Sequence, residues 1–245
     1  MRVATRSLLC IFMIAVLGVH AGSRNAYAQS GPCCILPDNG GGTADHPPNC
    51  PGGYVGHTTI VDGLPVGTTV QIPSVLGGFF ALNQVPGGGL GGNSETWQAS
   101  IAMQLSGTGA LIGYNRNLVM PISAGTSHSA PRMPFSPLQA FNTTLFMLQG
   151  QLPFGDPDFD LLRISAGTGF GMPSPGHTTF TAAAGGWAVD SFFDIFYRID
   201  FVGSPGGPFA GRSGSTTGTY RFEMCHGQPT PTRAGTWGRL KSLYR

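Results

Sequence analysis

The chain has 245 residues, of which 10% are charged, with 39 glycines, 20 prolines and a formal net charge of +2. Soluble domains average roughly 25% charged residues, and Gly plus Pro above roughly 25–30% marks disorder, a level this sequence approaches without reaching. Its 41% of hydrophobic residues still supplies a core, so the composition argues against a disordered chain and for one large or two small folded domains.

Arg2 and Arg6 precede an apolar run from Leu8 to Gly18, and a polar stretch then ends in Ala26-Tyr27-Ala28. That order of charge, apolar core and small-x-small site predicts a signal peptide over 1–28, with the mature chain starting at Gln29. The run is too short to span a bilayer and no second one follows. The expectation is a secreted protein, extracellular or held at the cell surface, with no membrane span after cleavage. Removing Arg2, Arg6 and Arg24 leaves ten basic against eleven acidic residues, and the body before Arg233 has six against eleven, a net of −5. Nucleic acid is excluded as the main ligand on that balance.

Residues 29–53 are dominated by Cys, Pro and Gly and predict an irregular segment held by covalent links. From Tyr54 onward, short β-branched and aromatic runs predict strands over 54–61, 67–72, 97–105, 116–122, 141–149, 160–165, 177–182, 189–202 and 216–224. Apolar spacing at 3.6 is absent beyond a few residues, so helices should be few. The clearest strand is 189–202, where Phe193, Ile195, Tyr197, Ile199 and Phe201 alternate with a mixed set and should face a core. These features predict an all-β chain, a β-sandwich of immunoglobulin-like or jelly-roll type. A weak internal repeat matches Thr58-Thr59-Ile60, Leu64–Gly67, Val70–Ile72 and Ser100–Leu105 to Thr143-Thr144-Leu145, Leu152–Gly155, Leu162–Ile164 and Asp194–Ile199. Two tandem sandwich repeats, 54–130 and 138–226, would account for it. Residues 227–245 form a Pro/Thr linker and a basic-aromatic tail.

Four cysteines remain after cleavage: Cys33, Cys34, Cys50 and Cys225. An even count in an exported chain predicts two disulfides. A bond between adjacent Cys33 and Cys34 would be strained, so one of them should join Cys50 and the other Cys225. The same cysteines with His46 and His226 have ligand types suited to Zn²⁺ or Cu, but in no standard spacing. Asp156, Asp158 and Asp160 alternate as Ca²⁺ ligands do, which would suit an irregular Ca²⁺ site, although an EF-hand is excluded by Leu161 and Gly167.

No catalytic motif stands out: Gly211–Ser215 lacks the last glycine of a nucleophile elbow, and Gly87–Gly92 lacks the Lys of a phosphate loop. The expectation is therefore a non-enzymatic surface module, structural or binding, whose partner is a cell-envelope component or polysaccharide. Trp97, Trp187, Phe192 and Phe196 are its candidate sugar-binding aromatics. The rival is a secreted hydrolase with a site assembled from Asp156, Asp158, Asp160, His128 and His177.

Overall fold

The computed structural model describes residues 34–224, and the expected signal segment and C-terminal tail lie outside them. Ten strands account for most of this span: β1 (Ile35–Leu36), β2 (Tyr54–Ile60), β3 (Val70–Pro86), β4 (Asn93–Gly107), β5 (Asn115–Ser129), β6 (Leu138–Gln151), β7 (Phe159–Ala166), β8 (Pro175–Ala183), β9 (Gly186–Gly203) and β10 (Ser213–Met224). Two 3₁₀ turns, η1 (Gly109–Leu111) and η2 (Thr168–Phe170), are the helical elements among the described residues. The nine expected strands each fall on one of β2 to β10. The all-β class holds.

All pairings are antiparallel, and the sheet closes on itself. From β2 the order runs through β3, β4, β5 and β6, then through β7 and β8 to β9, and through β10 back to β2. Strands β7 and β8 share one position of the wall. β6 pairs with β8 through Leu138↔Thr181 and with β7 through Gly150↔Ile164, and both shorter strands pair onward to β9. The opposite walls of the ring face each other over one core, a sandwich-like arrangement made from a single sheet. The stretches 54–130 and 138–224 supply its two sides, joined by the β5–β6 and β2–β10 pairings. Their similarity is partly echoed in register: Gln71 lies opposite Ser106 on β3 and β4, and Arg163 opposite Asp200 on β7 and β9. It breaks at Thr58 and Thr143, which pair with Ile72 and Gly176.

Period-two sequence decides which side chains go inside. On β9 the residues Phe193, Ile195, Tyr197, Ile199 and Phe201 are buried, as the alternation predicts. On β4 the inward set is Glu95, Trp97, Ala99, Ile101, Met103 and Leu105, while Thr96, Gln98, Ala102 and Gln104 are exposed. Eight wall positions give an interior just wide enough for side chains to fill. Aromatic rings fill it here, with Phe79 edge-on to Trp97 at 5.0 Å and Tyr54 5.3 Å from Phe193. Each such ring buried is worth about 1.5–3 kcal/mol.

Both ends are closed. At one, residues 42–50 lie across the barrel mouth with Thr43, Ala44, His46 and Cys50 buried. Gln139 holds this plug by donating to the Gly42 carbonyl at 2.7 Å and accepting from the Thr43 hydroxyl at 2.6 Å. Asn49 and Phe79 exchange two further bonds. The Cys34–Cys50 disulfide fixes its base, one of the two expected bridges. Such a loop is worth roughly 3 kcal/mol in the chain-entropy treatment. At the other end Phe209 is fully buried, stacked on Phe159 at 4.7 Å and edge-on to Tyr114 at 5.1 Å.

The β2–β10 seam is the thinnest join, with only Val55 and Tyr54 in register with Glu223 and Met224. Beyond them side chains take over from the ladder. The Tyr197 hydroxyl accepts from the Thr59 amide at 3.1 Å, and the Thr216 hydroxyl accepts from the Val61 and Asp62 amides at 3.0 and 2.9 Å.

Candidate functional site

With the interior filled, two grooves open on the outer wall. The larger is a groove of about 590 Å³ lined by Leu90, His128, Asn142, Thr144, Phe146 and Thr168, among others. Its floor comes from an irregularity in β6. Ser127 is opposite Leu145 and Thr126 opposite Met147, so Phe146 is the extra residue of a β-bulge. A bulge re-aims the side chain it inserts. Here it lays the Phe146 ring on the imidazole of His128, with centroids 4.7 Å apart and planes 27° from parallel.

Glycines make the close packing around this pair possible. The backbone of the β3–β4 connection runs over the imidazole, where a Cβ at Gly88 would come within 3.0 Å of the ring. On the far side, a Cβ at Gly167 would meet the Phe146 carbonyl at 2.5 Å, and that glycine has φ of +109°. The glycine-rich stretch 87–92 is thus a loop, as expected, and it serves to frame His128. The Gly89 amide donates to His128 Nδ1 at 3.1 Å. An accepting Nδ1 places the proton of the neutral ring on Nε2. Around the stacked pair stand an amide and hydroxyls: Asn142, which meets His177 Nδ1 at 3.1 Å, and Thr144, 3.4 Å from the Thr168 hydroxyl. The site can therefore offer a ring face, donors and acceptors, with no carboxylate in its lining.

Of the residues expected from sequence, His128 lines this groove and Phe196 a smaller one, and the rest lie elsewhere. Trp97 and Trp187 are buried, not surface platforms: Trp97 falls in the inward set of β4 and donates to Ser127, and Trp187 donates to Asp38 at 3.0 Å. Phe192 lies under the Arg221 guanidinium at 3.9 Å. Phe196 does line a groove, the smaller one of about 370 Å³ beside η2.

The acidic triad does not converge into a cation site. Arg116 binds both Asp156 and Asp158, the latter also accepts from the Tyr114 hydroxyl at 2.9 Å, and Asp160 accepts from Ser204 at 2.8 Å. Burial pushes the Asp156 carboxyl up, but Arg116 and the amides of Asp158 and Phe159 outweigh it and hold it below the usual range. Burial and the neighbouring Asp158 push the Tyr114 phenol up. Of the Cys/His metal set, Cys34 and Cys50 are bonded to each other, His46 is enclosed, and Cys33, Cys225 and His226 lie outside the described residues. No group of three His, Cys, Asp or Glu among the described residues is placed to hold an ion.

For the hydrolase reading, His128 lines the larger groove and His177 reaches it only through its contact with Asn142, while Asp156, Asp158 and Asp160 lie past the far end of β6. From Thr144 to Gln151 alone the strand rises about 23 Å. Phe146 and the bulge were missed because Phe146 reads as one more apolar residue in a strand. No family model matches the chain, nor does any curated protein or solved structure.

Proposed function

We propose that this protein is an exported, non-enzymatic binding module that takes a polysaccharide of the cell envelope on the outer wall of its barrel. The observation that carries the reading is the Phe146 bulge, which presents a stacked Phe146–His128 pair in a groove edged by Asn142, Thr144 and Thr168. A sugar ring has an apolar face for an aromatic surface and hydroxyls for amide and hydroxyl partners. The filled core supports an outside site. The exposed faces of β4 and β10 carry Gln98, Gln104, Thr217 and Arg221, the reverse of the apolar band of a lipid-facing barrel. The hydrolase reading needs an acid or base within reach of the bound substrate, and the acids it relied on belong to the opposite end.

Titration of the mature protein with envelope polysaccharides, compared with Phe146→Ala and His128→Ala, tests this. We expect at least one glycan to bind and each variant to weaken it about tenfold, equivalent to about 1.4 kcal/mol. Melting should change little. Failure to bind any envelope fraction, or binding indifferent to Phe146, overturns the reading.

A further inference from the structure

The smaller groove differs from the larger in charge. Two cross-strand rows form its floor. Gln149, Ser165, Arg198 and Thr217 are register partners across β6, β7, β9 and β10, and the next row places Arg163 opposite Asp200 and Asp200 opposite Ser215. Both arginines turn to one oxygen: Arg163 Nη2 lies 2.9 Å and Arg198 Nε 3.3 Å from Asp200 Oδ2. One carboxylate answers two guanidiniums, leaving a local charge of +1 on a body whose net is −5.

The donors are far from saturated. Arg198 is 46% exposed and meets Asp200 through Nε, so its terminal nitrogens point away from that contact; Arg163 Nε, buried beneath, has no acceptor. Phe170 and Phe196 stand at the groove beside them. A guanidinium pairs with a planar carboxylate through two parallel bonds. An isolated cationic spot on an acidic body favours one carboxylate held in place over a long polyanion, which the rest of the surface repels.

The two grooves are neighbours. The turn η2 contributes Thr168 to the larger and Phe170 to the smaller, and β6 contributes Phe146 to one and Gln149 to the other. We infer that the smaller groove is a second subsite that takes the carboxylate of an acidic sugar, so that the ligand on this wall is a uronic-acid-containing saccharide crossing η2. This rests on the reading of the wall as a glycan surface. One sugar packs against the exposed part of Phe146, beside His128. A carboxylate-bearing neighbour sits between Arg163 and Arg198, with the edge of Phe196 against its ring.

The test uses the mature protein and two probes, a disaccharide of one neutral hexose and one galacturonic acid, and its methyl ester, which differ in charge and not in sugar. Calorimetric titration should give at least tenfold tighter binding of the acid, a preference lost in Arg198→Gln and reduced by added salt. Arg163→Gln and Arg198→Lys are run beside it, with circular dichroism and melting to verify the fold; the lysine variant should restore part of the preference. Equal binding of acid and ester, with both sensitive to Phe146→Ala, overturns the acidic subsite and leaves the glycan reading standing. Preference for the acid that survives both arginine variants also overturns it. Binding of neither probe, nor of any envelope glycan, removes both.

Discussion

Glu95 and His46 face each other inside the barrel mouth, Oε2 3.6 Å from Nδ1, and neither side chain reaches solvent. Glu95 is there because β4 alternates and position 95 belongs to its inward set. Its other oxygen accepts from the Ser129 hydroxyl at 2.7 Å and lies 3.8 Å from Arg132 Nη2. Arg132 also donates to the Ala44 carbonyl of the plug at 2.8 Å and covers the Phe141 ring at 5.0 Å. Neither nitrogen of His46 has a hydrogen-bond partner in this enclosure. The plug is thus seated on a buried acid, a buried guanidinium and a buried imidazole.

That seat makes stability depend on pH. Burial is the largest influence on His46 and lowers its pKa below the ordinary histidine value, against the raising effect of Glu95. In the unfolded chain His46 takes a proton below about pH 6.5. In the fold it resists to lower pH, so the unfolded state binds more protons across that window. Stability should therefore fall as pH drops from about 6.5, by up to about 1.4 kcal/mol per unit, until the folded form is protonated too. Urea midpoints measured across this range should show the loss, and His46→Leu should flatten it.

The seam between β2 and β10 depends on Tyr197. Replacing it with Phe keeps the ring and strands the Thr59 amide, at a cost of about 1–3 kcal/mol. Amide exchange should quicken at Thr59 first and spread along β2. A variant with unchanged melting and exchange would mean that water replaces the hydroxyl there.

Arg116 is shared between Asp156 and Asp158 at the end opposite the plug, one cation against two carboxylates. Arg116→Met should cost about 2 kcal/mol, because it leaves two partly buried carboxylates without their charged donor. In the unmodified protein, millimolar calcium should leave the melting temperature unchanged, since the guanidinium occupies the carboxylates a cation would need. A calcium-dependent rise would return these aspartates to the role their spacing suggests.

The second expected bridge, Cys33 with Cys225, falls on residues outside the described ones, yet their chain neighbours bear on the expectation. Strands β1 and β10 run in the same direction along the same side of β9. The Cys34 carbonyl accepts from Val189, Ile35 is opposite Ala188, and Glu223 is opposite Phe192. Non-reducing peptide mapping should recover Cys33 linked to Cys225. A bridge closing so long a loop is worth roughly 5 kcal/mol, so Cys225→Ser should lower the melting temperature clearly.

Most of the strand framework is legible in the residues. The inward set of β9 could be written down from Phe193 to Phe201, because one face is apolar and the other mixed. β3 was harder: inward Ser74 and outward Val75 blur the alternation after Ile72, and Gly77, Gly78 and two register shifts against β4 interrupt it beyond Leu76. Ring closure has no local signature, since Val55 and Glu223 are neighbours only through the whole fold. The groove is illegible for a similar reason. It gathers Leu90, His128, Phe146 and Thr168 from four separate segments, and Phe146 owes its position to a one-residue slip that hydrophobicity does not encode. Trp97 misled because a large aromatic suits a sugar platform and a barrel core equally well.

The closure of β2 onto β10 has a consequence for how the chain could be rearranged. The polypeptide's entry to the wall and its exit stand side by side, so the order in which the eight positions are threaded is not fixed by where the sequence starts. A circularly permuted gene, with a short linker joining the old ends and new ones opened at the Ala184–Gly185 turn, would trace the same ring. The outer grooves should survive such a cut, because neither is lined by a residue of that turn.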